Sequence, residues 1–258
     1  AVHPEGYVFS DDERRILLRC DITPIYRHSF TADYYVYDRE TGQIAPLSDR
    51  GSQEQATFSP NGERVAFVRG NDLFVKELAT GVVRRLTHDG KFGEIINGKP
   101  DWVYEEEFGF ARAFEWAPDS RRIAWMRFDE RGVREYPMNR FDGGVYPTVY
   151  SFKYPKAGER NSAVEVWTYD LESDSAVRVD LGPEADQYIP RIRWTPRGEL
   201  AVYRLNRLQN CFEVIVDGRV VYKETDPRYV ERVDDGTIRF LPDGDRFIVR
   251  SERDGFMH

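Results

Sequence analysis

The segment FSPNGERVAF, residues 58–67, decides the fold. An aromatic residue leads into Pro60-Asn61-Gly62, and an apolar strand pattern follows. Proline presets φ in a tight turn and glycine tolerates the positive φ that such a turn demands, so the segment reads as a β-hairpin. The same pattern returns in FSDDERRILL from Phe9, WAPDSRRIAW from Trp116, WTPRGELAVY from Trp194 and FLPDGDRFIV from Phe240. A second strand and a different turn follow three of these hairpins, in YYVYDRETGQ (34–43), LFVKELATGV (73–82) and VEVWTYDLESD (164–174). Strand, turn, strand, turn at a period of roughly 45 to 60 residues is the spacing of four-stranded propeller blades. The predicted fold is therefore all-β, a β-propeller of antiparallel blades with about five recurrences in 258 residues. An antiparallel sandwich with coincident turns is the competing architecture.

Composition narrows the function. Aromatic residues make up 14% of the chain, more than a disordered segment carries, so the 32% of charged residues belong to the surface of a folded domain. The net charge of -8, with no long Lys/Arg run, excludes nucleic acid as a partner, because phosphate binding needs a basic footprint. Cys20 and Cys211 are too few and too far apart for a metal cluster or a disulfide framework and read as small buried hydrophobes. No apolar run approaches membrane-spanning length, and AVHPEGYVFS lacks the basic and apolar regions of a signal peptide.

Two insertions interrupt the repeat: KFGEIINGKPDWVYEEEFGFARA before Trp116, and REYPMNRFDGGVYPTVYSFKYPKAGERNS before Trp194. Insertions in repeat proteins collect on one face, often the working face. Both ends of the chain read as cut: RSERDGFMH enters a fresh strand pattern and stops, so the chain is expected to be a propeller fragment, 1–258, of a longer protein.

The chain shows no catalytic machinery of its own. It has no G-x-S-x-G elbow, no H-E-x-x-H and no P-loop, and His3, His28, His88 and His258 share no ligand spacing. No metal and no cofactor are expected. What remains is a candidate binding site in DWVYEEEF, residues 101–108. Asp101 is a plausible N-cap preceded by Pro100, so Glu105, Glu106 and Glu107 fall on a short helix. Adjacent helical residues point about 100° apart, so two neighbouring glutamates flank a ligand, an arrangement suited to the three donors of an ammonium group. The competing reading is an exposed acidic face near a helix N-terminus, favoured by the macrodipole. Arg27, in the loop sequence PIYRHSFTADYYVYD, is the second candidate: its guanidinium suits a carbonyl of the same ligand, against the alternative of a solvated loop arginine.

At DWVYEEEFGFARAFEWAPDSRRIAW, YRHSFTADYYVYD and VYSFKYPKAGERNSAVEVW the chain resembles the propeller domain of the dipeptidyl peptidase IV family, serine exopeptidases related to prolyl oligopeptidase, over nearly its whole length. D-W-V-Y-E-E-E is the most specific of these motifs, with Y-P-K-A-G and R-H-S-F-T-A in support, and the remainder has a bacterial flavour. The resemblance implies an eight-bladed propeller capping an α/β-hydrolase domain that holds the catalytic Ser, Asp and His and lies outside this chain. It also implies that Glu106 and Glu107 hold the free α-amine of a peptide substrate, that Arg27 contacts a substrate carbonyl, and that Glu105 and Tyr104 support them. The implied partners are peptides with a free N-terminus and the protein's own hydrolase domain, with a homodimer of the full-length protein possible. The implied location is the periplasm or cell envelope. A prolyl tripeptidyl aminopeptidase with a different substrate ruler, and a non-enzymatic interaction propeller, are the alternatives.

Overall fold

The computed structural model describes residues 2–231 and 233–258. Its strands form successive antiparallel sheets rather than two facing ones. The first comprises β1 (Gly6–Phe9), β2 (Arg15–Pro24), β3 (Phe30–Asp38) and β4 (Ile44–Pro46); the second comprises β5 (Glu54–Phe58), β6 (Arg64–Arg69), β7 (Asp72–Glu77) and β8 (Val83–Arg85). In the third, β9 (Ile95–Asn97) and β10 (Phe114–Trp116) both pair with β11 (Arg122–Asp129), which continues to β14 (Ala163–Asp170) and β15 (Ser175–Arg178). A separate hairpin of β12 (Glu135–Arg140) and β13 (Thr148–Lys153) leaves this sheet as an arm. The fourth sheet runs β16 (Gln187–Trp194), β17 (Leu200–Asn206), β18 (Cys211–Val216) and β19 (Arg219–Thr225), and β20 (Ile238–Phe240) pairs with β21 (Phe247–Val249).

The repeated turns are one structure built five times. The fourth turn residue donates its N–H to the first residue's carbonyl in Glu13→Ser10, Gly62→Ser59, Ser120→Ala117, Gly198→Thr195 and Gly244→Leu241, at 2.8–2.9 Å. Each of these donors has positive φ, including the non-glycine Glu13 and Ser120. The tight link between β6 and β7 uses Gly70-Asn71, both at positive φ, the geometry that matches the twist of a two-residue hairpin.

Apolar residues alternate along the strands so that adjacent sheets share a core. Leu17, Ala32, Val65 and Phe67 fill the space between the first two sheets; Val68, Val75, Phe114 and Trp125 fill the next; Phe128, Val166, Ile192 and Tyr203 fill the third. Core between consecutive sheets, with the chain moving on from each to the next, is the packing of propeller blades and disposes of the sandwich alternative. Cys20 is buried as expected, whereas Cys211, the first residue of β18, is only half-buried because it lies at the end of its sheet.

The expected fresh strand in RSERDGFMH is absent. After β21 the chain turns through Asp254-Gly255, and Ser251 and His258 exchange backbone hydrogen bonds instead. No helix of the described residues is long and apolar enough to cross a membrane.

Candidate functional site

The acidic insertion leaves and rejoins the third sheet along the same edge. β9 pairs with Arg127, Phe128 and Asp129, while β10 pairs with Ile123, Ala124 and Trp125, so both lie end to end beside β11. The base of the excursion is closed by the Ala113 N–H, which donates to the Gly98 carbonyl at 3.0 Å. Gly98 has a φ of 78°, and a Cβ there would meet Val68 and Leu73 side chains at 3.1 and 3.2 Å, so this entry point needs glycine twice over.

Helix α1 (Trp102–Phe108) follows. Asp101 caps it by accepting the Tyr104 N–H at 3.0 Å, and Gly109, left-handed at φ 69°, ends it by donating its N–H to the Glu105 carbonyl. Seven residues make a helix too short to stand alone, so tertiary contacts hold it. The Tyr104 ring is fully buried against Phe108, Phe110 and Phe128, and its hydroxyl accepts the Ile189 N–H of β16 at 3.0 Å. Burying such a ring contributes roughly 2–3 kcal/mol. Arg191, also of β16 and buried, donates to the Phe108 carbonyl at 2.9 Å and pairs with Asp235 at 2.5 Å. The Ser162 hydroxyl donates to the second Asp101 oxygen at 2.5 Å. Burial raises the Asp101 carboxyl pKa, an effect opposed by that hydroxyl and the Tyr104 N–H.

The three glutamates have three different surroundings. Glu105 is buried, and one of its oxygens accepts the N–H groups of His28 and Ser29 at 2.7 and 2.8 Å. That carboxylate fixes the loop between β2 and β3 against the helix. Arg27, one residue before, reaches Glu106, whose Oε2 accepts from Nε at 2.7 Å; the Glu106 side chain is 15% exposed and that of Arg27 69%. Glu107 is exposed. Three of the candidates, Glu105, Glu106 and Arg27, thus converge from elements that are distant in sequence, Tyr104 anchors them from below, and Glu107 stands free at the end of the helix.

A cavity of about 80 Å³ lies on the other flank of the first helical turn, lined by Tyr26, Trp102, Glu105, Glu130 and Phe152 among others. Sequence reading passed over Glu130 and Arg191. Nothing in FDERG or RIRW marks either one, since each depends on elements that meet only in the fold. Burial pushes the Glu130 carboxyl up to about 7, helped by the charge of Asp101 and opposed by Lys153, Lys99 and the Gly93 N–H.

That shift has a stability consequence. In the unfolded chain Glu130 titrates near its ordinary 4.5, and in the fold near 7, so its bound proton favours the fold at low pH and this contribution is lost as pH rises through the folded value. Glu130→Gln is expected to stabilise the protein at about pH 8 by on the order of 2 kcal/mol and to flatten the stability profile across that window. Thermal denaturation at a series of pH values checks this; a variant profile parallel to the wild type contradicts it.

Four propeller blades with an acidic helix inserted in the third define an N-terminal β-propeller domain of the dipeptidyl peptidase class. The chain belongs to the family described as dipeptidyl peptidase IV (DPP IV) N-terminal region, whose model matches residues 10–258. The crystal structure of dipeptidyl peptidase 4 from Porphyromonas gingivalis is similar with a TM-score of 0.94 and 39% identity, over 99% of this chain and 37% of that one. Dipeptidyl peptidase 4 of Trichophyton tonsurans is 36% identical over 249 residues, 91% of this chain and 31% of its own. A probable dipeptidyl-aminopeptidase B of Phaeosphaeria nodorum is 34% identical over 234 residues, 83% of this chain and 26% of its own. The chain therefore spans about a third or less of the length of these curated relatives.

Proposed function

We propose that this domain is the substrate-binding and gating propeller of a serine-type dipeptidyl peptidase that removes Xaa-Pro or Xaa-Ala dipeptides from peptide N-termini. The catalytic triad belongs to an α/β-hydrolase domain of the same protein, and the enzyme acts in the periplasm or at the cell envelope, which cell fractionation tests. The observation that carries the reading is the Glu106–Arg27 contact at 2.7 Å beside an exposed Glu107, on a helix fixed to three sheets.

Two carboxylates on adjacent helical residues repel one another, and a protonated peptide N-terminus relieves that repulsion while donating to both. Arg27 already neutralises part of the charge on Glu106, so the arriving amine completes a partly paired cluster, and the guanidinium donors left over are free for a substrate carbonyl. A blocked N-terminus offers no cation and leaves the carboxylates unpaired. Held at a set distance from the nucleophile, the pair acts as a ruler that admits two residues before the scissile bond.

The ruler is tested by offering the full-length protein chromogenic dipeptide and tripeptide substrates, both with free amines. Release from Gly-Pro and Ala-Pro but not from the tripeptides is expected, and preferred release of tripeptides returns the tripeptidyl aminopeptidase reading. Arg27→Ala is expected to lower kcat/KM for Gly-Pro substrates about tenfold, through poorer positioning of the backbone. An unchanged kcat/KM in this variant makes Arg27 a solvated loop residue with no part in binding.

A further inference from the structure

The cavity beside the first turn of α1 has polar groups that pair unequally. Its cations are already engaged: Lys99 Nζ donates to Glu54 Oε1 at 2.6 Å, and Lys153 Nζ donates to the Val133 carbonyl at 3.0 Å with Glu135 at 3.8 Å. Two of its carboxylates are also satisfied, Asp101 by Ser162 and the Tyr104 N–H, and Glu105 by the His28 and Ser29 N–H groups. Acceptors remain. Glu130 is 6% exposed and lines the cavity, and its carboxyl has the Gly93 N–H but no described side chain as a hydrogen-bond partner, while the buried second oxygen of Glu54 has no partner. Buried acceptors left over call for a donor.

The rest of the lining says what kind of donor. Phe152 packs at 6.0 Å from the Tyr26 ring and 6.1 Å from Trp102, giving an aromatic wall, and Phe92, 79% exposed, stands at the rim. Aromatic faces attract cations and accept an apolar stem, and a carboxylate beside them completes a site for an organic cation rather than a bare metal ion. A volume of about 80 Å³ is enough for a short chain rather than a single water.

We propose that this cavity binds an alkylammonium group, as on a free primary amine or at the tip of a lysyl side chain, with Glu130 as its counter-ion. The site is distinct from the Glu106–Glu107 edge, and its occupant touches both the Arg27 loop, through Tyr26, and α1, through Trp102.

The test is calorimetric titration of the full-length protein with n-butylammonium, with N-acetyl-lysine amide, whose only amine is on the side chain, and with neutral n-butanol. It is run at about pH 8.5, where Glu130 is ionised and the alkyl amines keep their protons. Both ammonium probes are expected to bind and n-butanol is not. The titrations are made in the Glu106→Gln background, which weakens the amine-binding edge, and there Glu130→Gln is expected to lower the remaining binding about tenfold or more and Phe92→Ala, at an exposed rim where folding is not at stake, a few-fold. Binding of n-butylammonium without the lysine amide supports the site and assigns it to free amines. No binding of n-butylammonium in the Glu106→Gln background, equal binding of n-butanol, or unchanged binding when Glu130→Gln is added overturns the proposal.

Discussion

Glu106→Gln is expected to lower kcat/KM on free-amine dipeptide substrates by about two to three orders of magnitude while leaving the melting temperature of the protein nearly unchanged. The amide keeps the size of the side chain and removes its charge. A charge-assisted hydrogen bond to the substrate amine contributes roughly 1.5–3 kcal/mol, and the amide also leaves Arg27 without its anion, so the summed loss is about 3–4 kcal/mol at about 1.4 kcal/mol per tenfold. Stability changes little because the partner of Glu106 is a largely exposed arginine, and exposed ion pairs contribute about 0–1 kcal/mol. Steady-state kinetics with a parallel thermal melt separates the two readouts. A variant with normal kcat/KM removes Glu106 from substrate binding.

Glu105 is expected to behave in the opposite way, although it is the neighbouring residue and the same amino acid. Its buried carboxylate serves the protein itself, accepting the N–H groups of His28 and Ser29. Glu105→Ala orphans both donors and opens a gap beneath the Arg27 loop, at a cost of about 2–4 kcal/mol, and it carries kcat/KM down with it as Arg27 loses its position. Glu105→Gln retains an amide oxygen able to accept both bonds, so stability and most of the activity are expected to survive. Chemical denaturation of the two variants decides it. Equal loss in both would mean that the charge of Glu105, not its acceptor geometry, is what matters.

These contrasting roles mark the limit of what the sequence discloses. The turn segments at Phe9, Phe58, Trp116, Trp194 and Phe240 were legible because turn chemistry is local: a proline or an aspartate, then a residue that tolerates positive φ, wherever the blade pattern recurs. The helix start at Asp101 was legible for the same reason. Which glutamate turns inward was not, because the rotation of a seven-residue helix is set by Tyr104 against Ile189, Asp101 against Ser162 and Phe108 against Arg191, all contacts made by distant parts of the chain. The arm formed by β12 and β13 was read only as an insertion, since its tip residues Phe141, Val145 and Tyr146 are exposed and give the segment no one-sided apolar pattern. RSERDGFMH does not run straight on from β21 because Asp254-Gly255 supplies turn chemistry that reverses the chain and brings His258 opposite Ser251 in mutual backbone hydrogen bonds.

Anchoring also explains how so short a helix can serve as a fixed edge. Asp101 ties it to the third sheet, Tyr104 and Phe108 to the fourth, and Glu105 to the first, so displacing it requires breaking bonds to three blades together. Pre-organisation of this kind lets binding energy go to the substrate rather than to ordering the site.

The most direct test of the amine-binding edge is the ratio of kcat/KM values of the full-length protein for Gly-Pro and Ala-Pro chromogenic substrates with free amines against the same dipeptides N-acetylated. Cleavage confined to the free-amine forms is the predicted result. Equal cleavage of the acetylated forms, or no cleavage of either, would contradict it and leave residues 101–108 as an acidic helix on an interaction propeller.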